Sequence, residues 1–297
     1  MFSKISVKVA ILVTLVLSIV VVAGSYYIIM QQSNSLEAQL LERGKIESII
    51  GAKLIGRVIE EAVDNGVFSV KDAFDTDYVL IPGFKPEKYH TKYDFYLDKA
   101  ILSLQDEFLK DESVVFAVTV DLNGYLPTHN TRYQKPITGD QQKDLIGNRT
   151  KRIFNDEIGI QAARNKKPAF QQIYHRDTGV TMWDISTPIY VKGKHWGGFR
   201  IGYSLDKIGQ AKQALQSKLI GIMGAILIVS LLVIFVVVNA ALKPLTHFTK
   251  VASDLADGKV DEKIEVKGSD EIAQLADVLE RLRVSLKSAM DRLKKKA

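Results

Sequence analysis

The sequence of 297 residues contains no cysteine. This absence excludes disulfide bonds, zinc sites with cysteine ligands, iron–sulfur clusters and covalently attached c-type haem. It says little about the redox compartment, because a domain of this size can fold without disulfides. The histidines show no HxH, HxxxH or HExxH spacing, so we predict no metal site.

Sequence motifs of enzymes are missing as well. The chain has no GxSxG, P-loop or GxGxxG element, and its carboxylates are scattered rather than paired on one face. We therefore predict no catalytic residues, no enzyme activity and no cofactor.

Charged residues are absent from two long stretches, Val9–Met30 and Leu219–Leu242. A helix of about 20 apolar residues crosses the hydrocarbon core of a bilayer. Both stretches are long enough, so the sequence predicts two transmembrane helices and argues against a simple soluble enzyme.

The basic residues that flank these stretches predict the orientation of the chain. Lys4 and Lys8 precede the first stretch, and Lys243 and Lys250 follow the second. Positive charge in short flanking segments marks the cytoplasmic side. We therefore expect a protein of the cell (inner) membrane with both termini cytoplasmic, the first being residues 1–8, and with residues 31–218 outside.

An alternative for the amino terminus is a cleaved signal peptide. Val22, Ala23 and Gly24 are small residues at a plausible cleavage point, and cleavage there would make Ser25 the mature terminus. The apolar stretch continues to Met30, however, beyond the length of about 7–15 residues that the hydrophobic region of a signal peptide has. This length favours an uncleaved anchor.

The net charge of +6 does not indicate a nucleic-acid partner. Much of the excess lies beside the apolar stretches or in the tail Lys294–Lys296. The positive-inside rule and anionic lipids account for basic residues at such places. Because no nucleic-acid-binding motif is recognisable, we predict that the protein binds no nucleic acid.

The outer region reads as helices followed by strands. Periodic apolar residues predict a long helix over Ser33–Val63, which ends at the stop signal Asp64–Gly66, and a second helix over Tyr93–Lys110. The pattern then predicts a third helix and four strands: helix Asn148–Ala163, and strands Val114–Val120, Phe170–Arg176, Val180–Val191 and His195–Leu205. The fold class is therefore α+β with an antiparallel sheet.

Three segments of this region carry a resemblance to a known family. They are VVFAVTVDLNGYLPTHN, NRTKRIF and the hairpin PIYVKGKHWGG. Residues 77–203 resemble a single Cache domain, the PAS-like sensor module of bacterial receptors, and more narrowly the outer regions of methyl-accepting chemotaxis proteins. The resemblance implies that a small molecule binds on one face of the sheet, under a helix that carries Arg149 and Arg152.

Strand alternation supplies further candidate ligand-binding residues. Tyr174 shares a face with Gln172 and Arg176, while Trp183 and Asp184 point to opposite faces of the next strand. Aromatic rings, a cation and a carboxylate suit a small polar or zwitterionic ligand. We therefore predict that Arg149, Arg152, Tyr174, Trp183 and Asp184 bind the ligand; the alternative is that they are core aromatics and structural ion pairs.

A second alternative for this region is a haem-based redox sensor. His129 and His195 lie in segments that recur in the resembling receptors, and histidine is a common axial ligand. Without any ligand spacing, a hydrogen-bonded loop histidine is the simpler interpretation.

The segment after the second apolar stretch predicts two helices with apolar seams. Lys243–Leu255 forms the first, with a seam of Leu245, Phe248, Ala252 and Leu255 in steps of three and four, and Asp257–Gly258 ends it. The polar connector carries Val260, Ile264 and Val266. In the second helix the seam repeats in steps of three and four along Ile272, Leu275, Leu279, Leu282, Leu286, Ala289 and Leu293. One chain cannot bury both seams, so we predict a homodimer that forms a parallel four-helix coiled coil.

This segment, residues 243–297, also resembles a HAMP domain. The features that carry the resemblance are Pro244, the connector GKVDEKIEVKGSDEIAQL with Gly258, and the helix start at Asp270 and Glu271. The resemblance implies that Pro244, Gly258 and Glu271 belong to a signal relay. Glu271 has an alternative explanation as an acidic residue favoured by the helix dipole.

Together these features predict a membrane receptor subunit that senses a small molecule outside and relays the signal through HAMP, in a chemotaxis-related role. The sequence ends shortly after the seam, so either the subunit acts on a cytoplasmic signalling protein in trans or it is a truncated receptor. An anchored solute-binding or scaffold protein without signalling is the alternative from another class.

Overall fold

The computed structural model describes residues 5–265 and 269–294. The predictions that concern Lys4, Val266 and Lys295–Lys296 fall outside the described residues. The chain divides into two compact units, which are described separately: Met30–Ser217, and Met1–Ile29 together with Lys218–Ala297.

Two very long helices run through both units. Helix α1 spans Ile5–Asp64 and helix α7 spans Leu205–Ala256. Each contains a segment long and apolar enough to cross a membrane, and the side chains of these segments are not buried within the protein. The two predicted long apolar helices and the predicted stop after Asp64 are confirmed.

The unit Met30–Ser217 is called the outer unit below, after the predicted orientation, and shorter elements follow α1 in it. They are α2 (Val70–Ala73), β1 (Val79–Ile81), β2 (Lys88–His90), α3 (Asp94–Ala100), α4 (Leu102–Glu107), a 3-10 turn (Phe108–Lys110), β3 (Val114–Asp121), β4 (Tyr125–Leu126), a second 3-10 turn (Thr131–Tyr133), α5 (Gln141–Gly147), β5 (Arg152–Ile153), α6 (Glu157–Arg164), β6 (Phe170–His175), β7 (Thr181–Val191) and β8 (Lys194–Ser204).

A four-stranded antiparallel sheet forms the centre of the outer unit. Its strand order is β3-β8-β7-β6. The β6 register places Tyr174 opposite Met182 and Gln172 opposite Asp184. The α+β class and the antiparallel sheet are therefore confirmed.

Helix α1 packs against one face of this sheet at short range. The face is apolar and includes Ile185, Phe199 and Tyr203, which are fully buried. Gly44 and Gly51 lie against these side chains, since a Cβ atom on Gly51 would lie 2.3 Å from the Phe199 ring. Glycine is therefore what allows the helix to approach the sheet this closely.

The predicted helix over Asn148–Ala163 is wrong for its first half. Asn148 ends α5, and Lys151 has a positive φ of 61° that no helix accommodates. Arg152 then pairs with Leu126 in a two-stranded ladder. Only after Asp156, whose carboxylate accepts a hydrogen bond from the Gly159 backbone, does the chain enter α6.

In the other unit, α8 (Glu271–Lys294) packs against the end of α7. Phe248 and Leu255 of α7 contact Ala276 of α8, together with Val260 and Ile264 of the connector. Glu280 accepts a hydrogen bond from the Ile264 backbone, and Arg283 donates one to the Val260 carbonyl. The connector is thus held by both apolar burial and polar contacts.

The predicted start of a new helix at Lys243–Pro244 is wrong, because α7 continues through Pro244 without a break. The predicted end is confirmed: α7 ends at Ala256, and Gly258 has a φ of +81° that favours glycine. Of the predicted α7 seam, Ala252 is exposed and Val251 packs in its place.

We predict that Gly51→Ala lowers the free energy of unfolding of the outer unit by up to about 2 kcal/mol. The added methyl group overpacks the contact with Phe199, at a cost of about 1–3 kcal/mol, which exceeds the helix propensity gained over glycine. Urea unfolding of the full chain in detergent measures this. The only two tryptophans, Trp183 and Trp196, are both in the outer unit, so their fluorescence reports that unit.

Gly209→Ala is the matched control, because nothing lies within 4 Å of a Cβ atom at Gly209 in α7. It should leave stability unchanged or slightly higher. Equal stability of the two variants would contradict the close approach of α1.

Candidate ligand-binding site

A small cavity lies on the face of the sheet opposite α1. Strands β3, β6 and β8 supply its floor, and the loops around β4 and β5 supply its walls. It is lined by Phe116, Val118, Leu126, His129, Arg149, Phe154, Tyr174, Arg176 and Arg200. Its volume is about 20 Å³, which is room for about one water molecule.

The loop that carries His129 is fixed from both sides. Asn130 accepts a hydrogen bond from the Ala117 backbone of β3 at 2.9 Å, and Gln105 of α4 donates one to the Thr128 carbonyl. Thr128, His129 and Asn130 are all buried. The buried loop therefore holds the imidazole against the cavity.

The tautomer of His129 follows from its own backbone contact. The Asn130 backbone N–H donates to the His129 Nδ1 at 2.8 Å. Burial, together with the charges of Arg176 and Arg149, holds the pKa of His129 well below its ordinary range. The ring is therefore neutral at neutral pH, with its proton on Nε2.

Arg200 and Asp184 form a fully buried ion pair beneath the cavity. The Arg200 Nε and Nη2 atoms donate to both Asp184 oxygens, at 2.9 to 3.2 Å. Although burial acts to lower it, the Asp184 carboxylate raises the pKa of Arg200. A paired, two-point contact of this kind keeps both groups ionised and ties β7 to β8.

Three more arginines lie in or beside the cavity and have fewer partners: Arg149 and Arg176 line it, and Arg152 lies behind Phe154. Arg149 donates to Asp177 at 3.0 Å and Arg176 donates to the Tyr133 hydroxyl at 2.9 Å. Arg152 donates to the Leu145 carbonyl at 3.1 Å. Burial lowers the pKa of Arg152 to about 10 and also lowers that of Arg176, yet both remain charged at neutral pH.

Aromatic rings cover the guanidinium groups. Arg176 lies 4.4 Å from the Tyr133 ring centre, and Arg200 lies 5.7 Å from that of Tyr174. Arg149 and Arg152 both lie about 5 Å from the Phe154 ring centre. Such cation–π contacts stabilise buried arginine without neutralising it.

The structure brings most of the predicted ligand residues together. Arg149 and Tyr174 line the cavity, Arg152 lies behind Phe154, and Asp184 lies beneath the cavity on Arg200. Trp183 does not join them, because its side chain belongs to the core on the α1 face of the sheet.

Sequence reasoning did not select Arg176, Arg200 or Phe116 as ligand residues. Arg176 was visible as a member of the Tyr174 face. Arg200 pairs with Val118 across β3 and β8, and only the register of these strands brings it to the same face as Tyr174.

The structure places the two histidines of the haem alternative in different surroundings. The cavity beside His129 is far too small in this arrangement. His195 lies next to the β7–β8 turn, where its Nε2 contacts the Gly197 carbonyl oxygen at 3.0 Å. Across the described ranges 5–265 and 269–294, no group of three His, Asp or Glu side chains is placed to hold a metal ion.

The predicted relay residues lie in the second unit. Pro244 is inside α7, and Gly258 follows the end of that helix. Glu271 is the first residue of α8 and is exposed, while Asp270 before it caps the helix through the Ala273 backbone N–H.

Comparison with known families identifies this second segment. The HAMP domain model matches residues 236–288, which include the end of α7, the connector and most of α8. The chain therefore contains a HAMP domain. No curated protein matches the chain.

Three solved structures show weak similarity. The E. coli DcuS sensor domain is 19% identical, with a TM-score of 0.26, over 37% of this chain and 70% of that one. An extracellular ligand-binding receptor from Desulfohalobium retbaense is 15% identical (TM-score 0.26, 60% and 26% covered). The sensory domain of the Campylobacter jejuni chemoreceptor Tlp3 is 9% identical (TM-score 0.27, 59% and 65% covered). Because these TM-scores are low, nothing about the present chain follows from them.

The HAMP domain, the two apolar helices and the separate sheet unit support a membrane-anchored sensory receptor that transduces a signal. These features indicate a signalling protein rather than an enzyme.

We predict that Asp184→Asn lowers the free energy of unfolding of the outer unit by about 3–5 kcal/mol, because it leaves the buried Arg200 charge without its partner. Tryptophan fluorescence during urea unfolding measures the change. The double variant Asp184→Asn/Arg200→Met removes both charges and should recover much of the loss. A single variant as stable as the native chain would contradict an ionised pair.

Proposed function

We propose that the protein is a receptor subunit that binds a small molecule in the cavity of its outer unit and relays binding through α7 to the HAMP domain. The observation that carries this proposal is continuity. Arg200 of the cavity lies in β8, β8 ends at Ser204, and α7 begins at the next residue and leads into the HAMP domain.

The energy that such a relay needs is modest. A ligand shifts a two-state equilibrium only by its difference in affinity for the two states. A difference of about 1–3 kcal/mol gives useful coupling between distant sites. Rearrangement of one or two charged contacts in the cavity is enough to supply it.

We propose that the HAMP domain forms a homodimer. Within one chain, Ile272 and Leu279 of α8 pack against the connector, whereas Leu275, Leu282 and Leu286 remain exposed. An exposed apolar seam at heptad spacing is the signature of a coiled-coil surface. A second copy supplies the matching seam.

Cysteine crosslinking tests the dimer without background, because the native chain has no cysteine. Leu282 lies on the seam and Val284 lies off it, and both side chains are 49% exposed. Leu282→Cys should therefore form disulfide-linked dimers readily in oxidised membranes, and Val284→Cys much less. Equal crosslinking of the two variants would contradict a seam-to-seam dimer.

We further propose that the receptor lies in the inner membrane with both termini cytoplasmic, and that it acts in a chemotaxis-related pathway on a cytoplasmic signalling protein in trans. The exposed seam of α8 extends to Leu293, which offers a partner coiled coil a surface on which to stack. The basic flanks Lys8 and Lys243 support the orientation.

A chimera tests the signalling proposal. The chain through Lys294 is joined in heptad register to the kinase region of a two-component receptor, and reporter output is measured against a panel of small organic acids, amino acids and amines. We expect at least one compound to change output, and Tyr174→Ala to abolish the response because the cavity loses one wall.

Tyr190→Ala is the matched control, since Tyr190 is exposed and lies outside the cavity. A four-residue insertion after Leu279 should lock output by rotating the seam. A response that survives this insertion, or output that no compound changes, would favour a solute-binding or scaffold protein without signalling.

A further inference from the structure

Two neighbouring side chains of α8 hold the backbone of the HAMP connector. Arg283 Nη1 donates to the Val260 carbonyl oxygen at 2.6 Å, and the Ile264 backbone N–H donates to Glu280 Oε2 at 2.9 Å. These contacts lie at the two ends of the segment 260–264. They therefore fix both the position and the direction of this segment on α8.

The same two side chains also fix each other. Arg283 donates from Nε to Glu280 Oε2 at 2.8 Å and from Nη2 to Glu280 Oε1 at 2.7 Å. All three guanidinium nitrogens are therefore engaged. Because Arg283 and the Ile264 backbone stabilise its carboxylate, the pKa of Glu280 falls to about 2. The carboxylate in turn raises the pKa of Arg283, so both groups are ionised at neutral pH.

This ion pair differs from an ordinary surface pair. Most surface ion pairs contribute little, because solvent screens them. The side chains of Arg283 and Glu280 are only 11% and 17% exposed. The pair of Arg281 and Asp277 on the same helix is 72% and 57% exposed, and it lies within α8. Of these two pairs, only the shielded one contacts the connector.

The apolar core of the HAMP domain depends on the segment that this pair holds. The side chains of Val260 and Ile264 are buried and pack with Phe248 of α7 and Ala276 of α8. The pair holds the backbone at these two residues and so determines how their side chains enter the core. Hydrogen bonds weaken steeply when donor and acceptor move out of line. A turn of α8 against the connector must therefore break the backbone contacts while the apolar side chains repack.

We propose that Glu280 and Arg283 are positioning residues of the relay, which hold the HAMP domain in one packing state until a signal from α7 breaks their contacts with the connector. This inference rests on the proposed function of the chain as a signalling receptor. A contact that exists in only one state stabilises only that state. Removal of the pair should therefore shift the HAMP domain toward the other state without any ligand.

Hydrogen exchange of the full chain in nanodiscs tests the contact with the connector. Glu280→Ala removes the acceptor of the Ile264 N–H. We expect this amide to exchange about three to ten times faster, which is the factor that one hydrogen bond contributes. Asp277→Ala is the matched control, because it removes the exposed pair with Arg281. Equal exchange of the Ile264 amide in the two variants would overturn the inference.

The same measurement separates positioning from general stability. The amides within α8 should keep their native exchange rates in Glu280→Ala, since alanine is a strong helix former. Faster exchange along the whole of α8 would mean that the variant unfolds the HAMP domain, and it would overturn a positioning role.

The output of the chimera with a kinase region tests the role in the relay. Without ligand, Arg283→Ala should change basal output by about twofold or more, because one state loses hydrogen bonds that the other state lacks. Arg283→Lys should change it in the same direction, since lysine keeps the charge but lacks the rigid fork that reaches Glu280 and the Val260 carbonyl together. Arg281→Ala should leave basal output unchanged. Native output from Arg283→Lys would mean that charge alone matters, and it would overturn the inference.

The outcomes separate this inference from the proposed function. Faster exchange at Ile264 with unchanged basal output would overturn the positioning role and leave the receptor proposal standing. A changed basal output in Arg283→Ala, in a chimera that responds to no compound, would sustain the inference and contradict ligand sensing. Output that neither a variant nor a compound changes would overturn both.

Discussion

The ion pair between Arg200 and Asp184 is the interaction on which the outer unit depends. It ties the two central strands of the sheet together, and it places one guanidinium group at the floor of the cavity. A buried ion pair is weak evidence for stability, since apolar residues of similar volume often do as well. In this site the pair occupies Asp184, a fully buried carboxylate, and so leaves the neighbouring arginines with fewer carboxylate partners.

The same two strands separate two environments. The α1 face is apolar and closely packed, with glycines at the points of closest approach. The opposite face holds charge, aromatic rings and the small cavity. Because residues alternate along a strand, any shift of β8 that accommodates a ligand also moves Phe199 and Ile201 against α1. Strand alternation thus connects the cavity to a helix that does not touch it.

The sequence alone predicted the elements with strong local signals. The two apolar stretches, the stop after Asp64, the hairpin strands and the turn at Gly258 are all confirmed, because each depends on composition or periodicity within a short window.

The helix predicted over Asn148–Ala163 was wrong because Lys151 and the capping residue Asp156 divide it. Pro244 was interpreted as the start of a new helix. By sequence alone, a proline in the first turn of a helix cannot be distinguished from a proline inside a continuous helix. The sequence did not show that Arg200 lies on the same face of the sheet as Tyr174, or that Trp183 lies on the other face. Strand register decides these faces, and register is a long-range property.

The glycine contacts of α1 have a mechanical consequence. Gly44, Ser48 and Gly51 lie on one face of the helix, so over this stretch α1 presents only small residues to the large side chains of the sheet. Further along α1, Ile55 and Ile59 are buried in the same core. The hydrogen bonds of Ser48 with Thr187 and of Tyr203 with Glu47 fix the axial position of the helix on the sheet. Any axial shift of α1 must therefore break both hydrogen bonds and repack these two isoleucines.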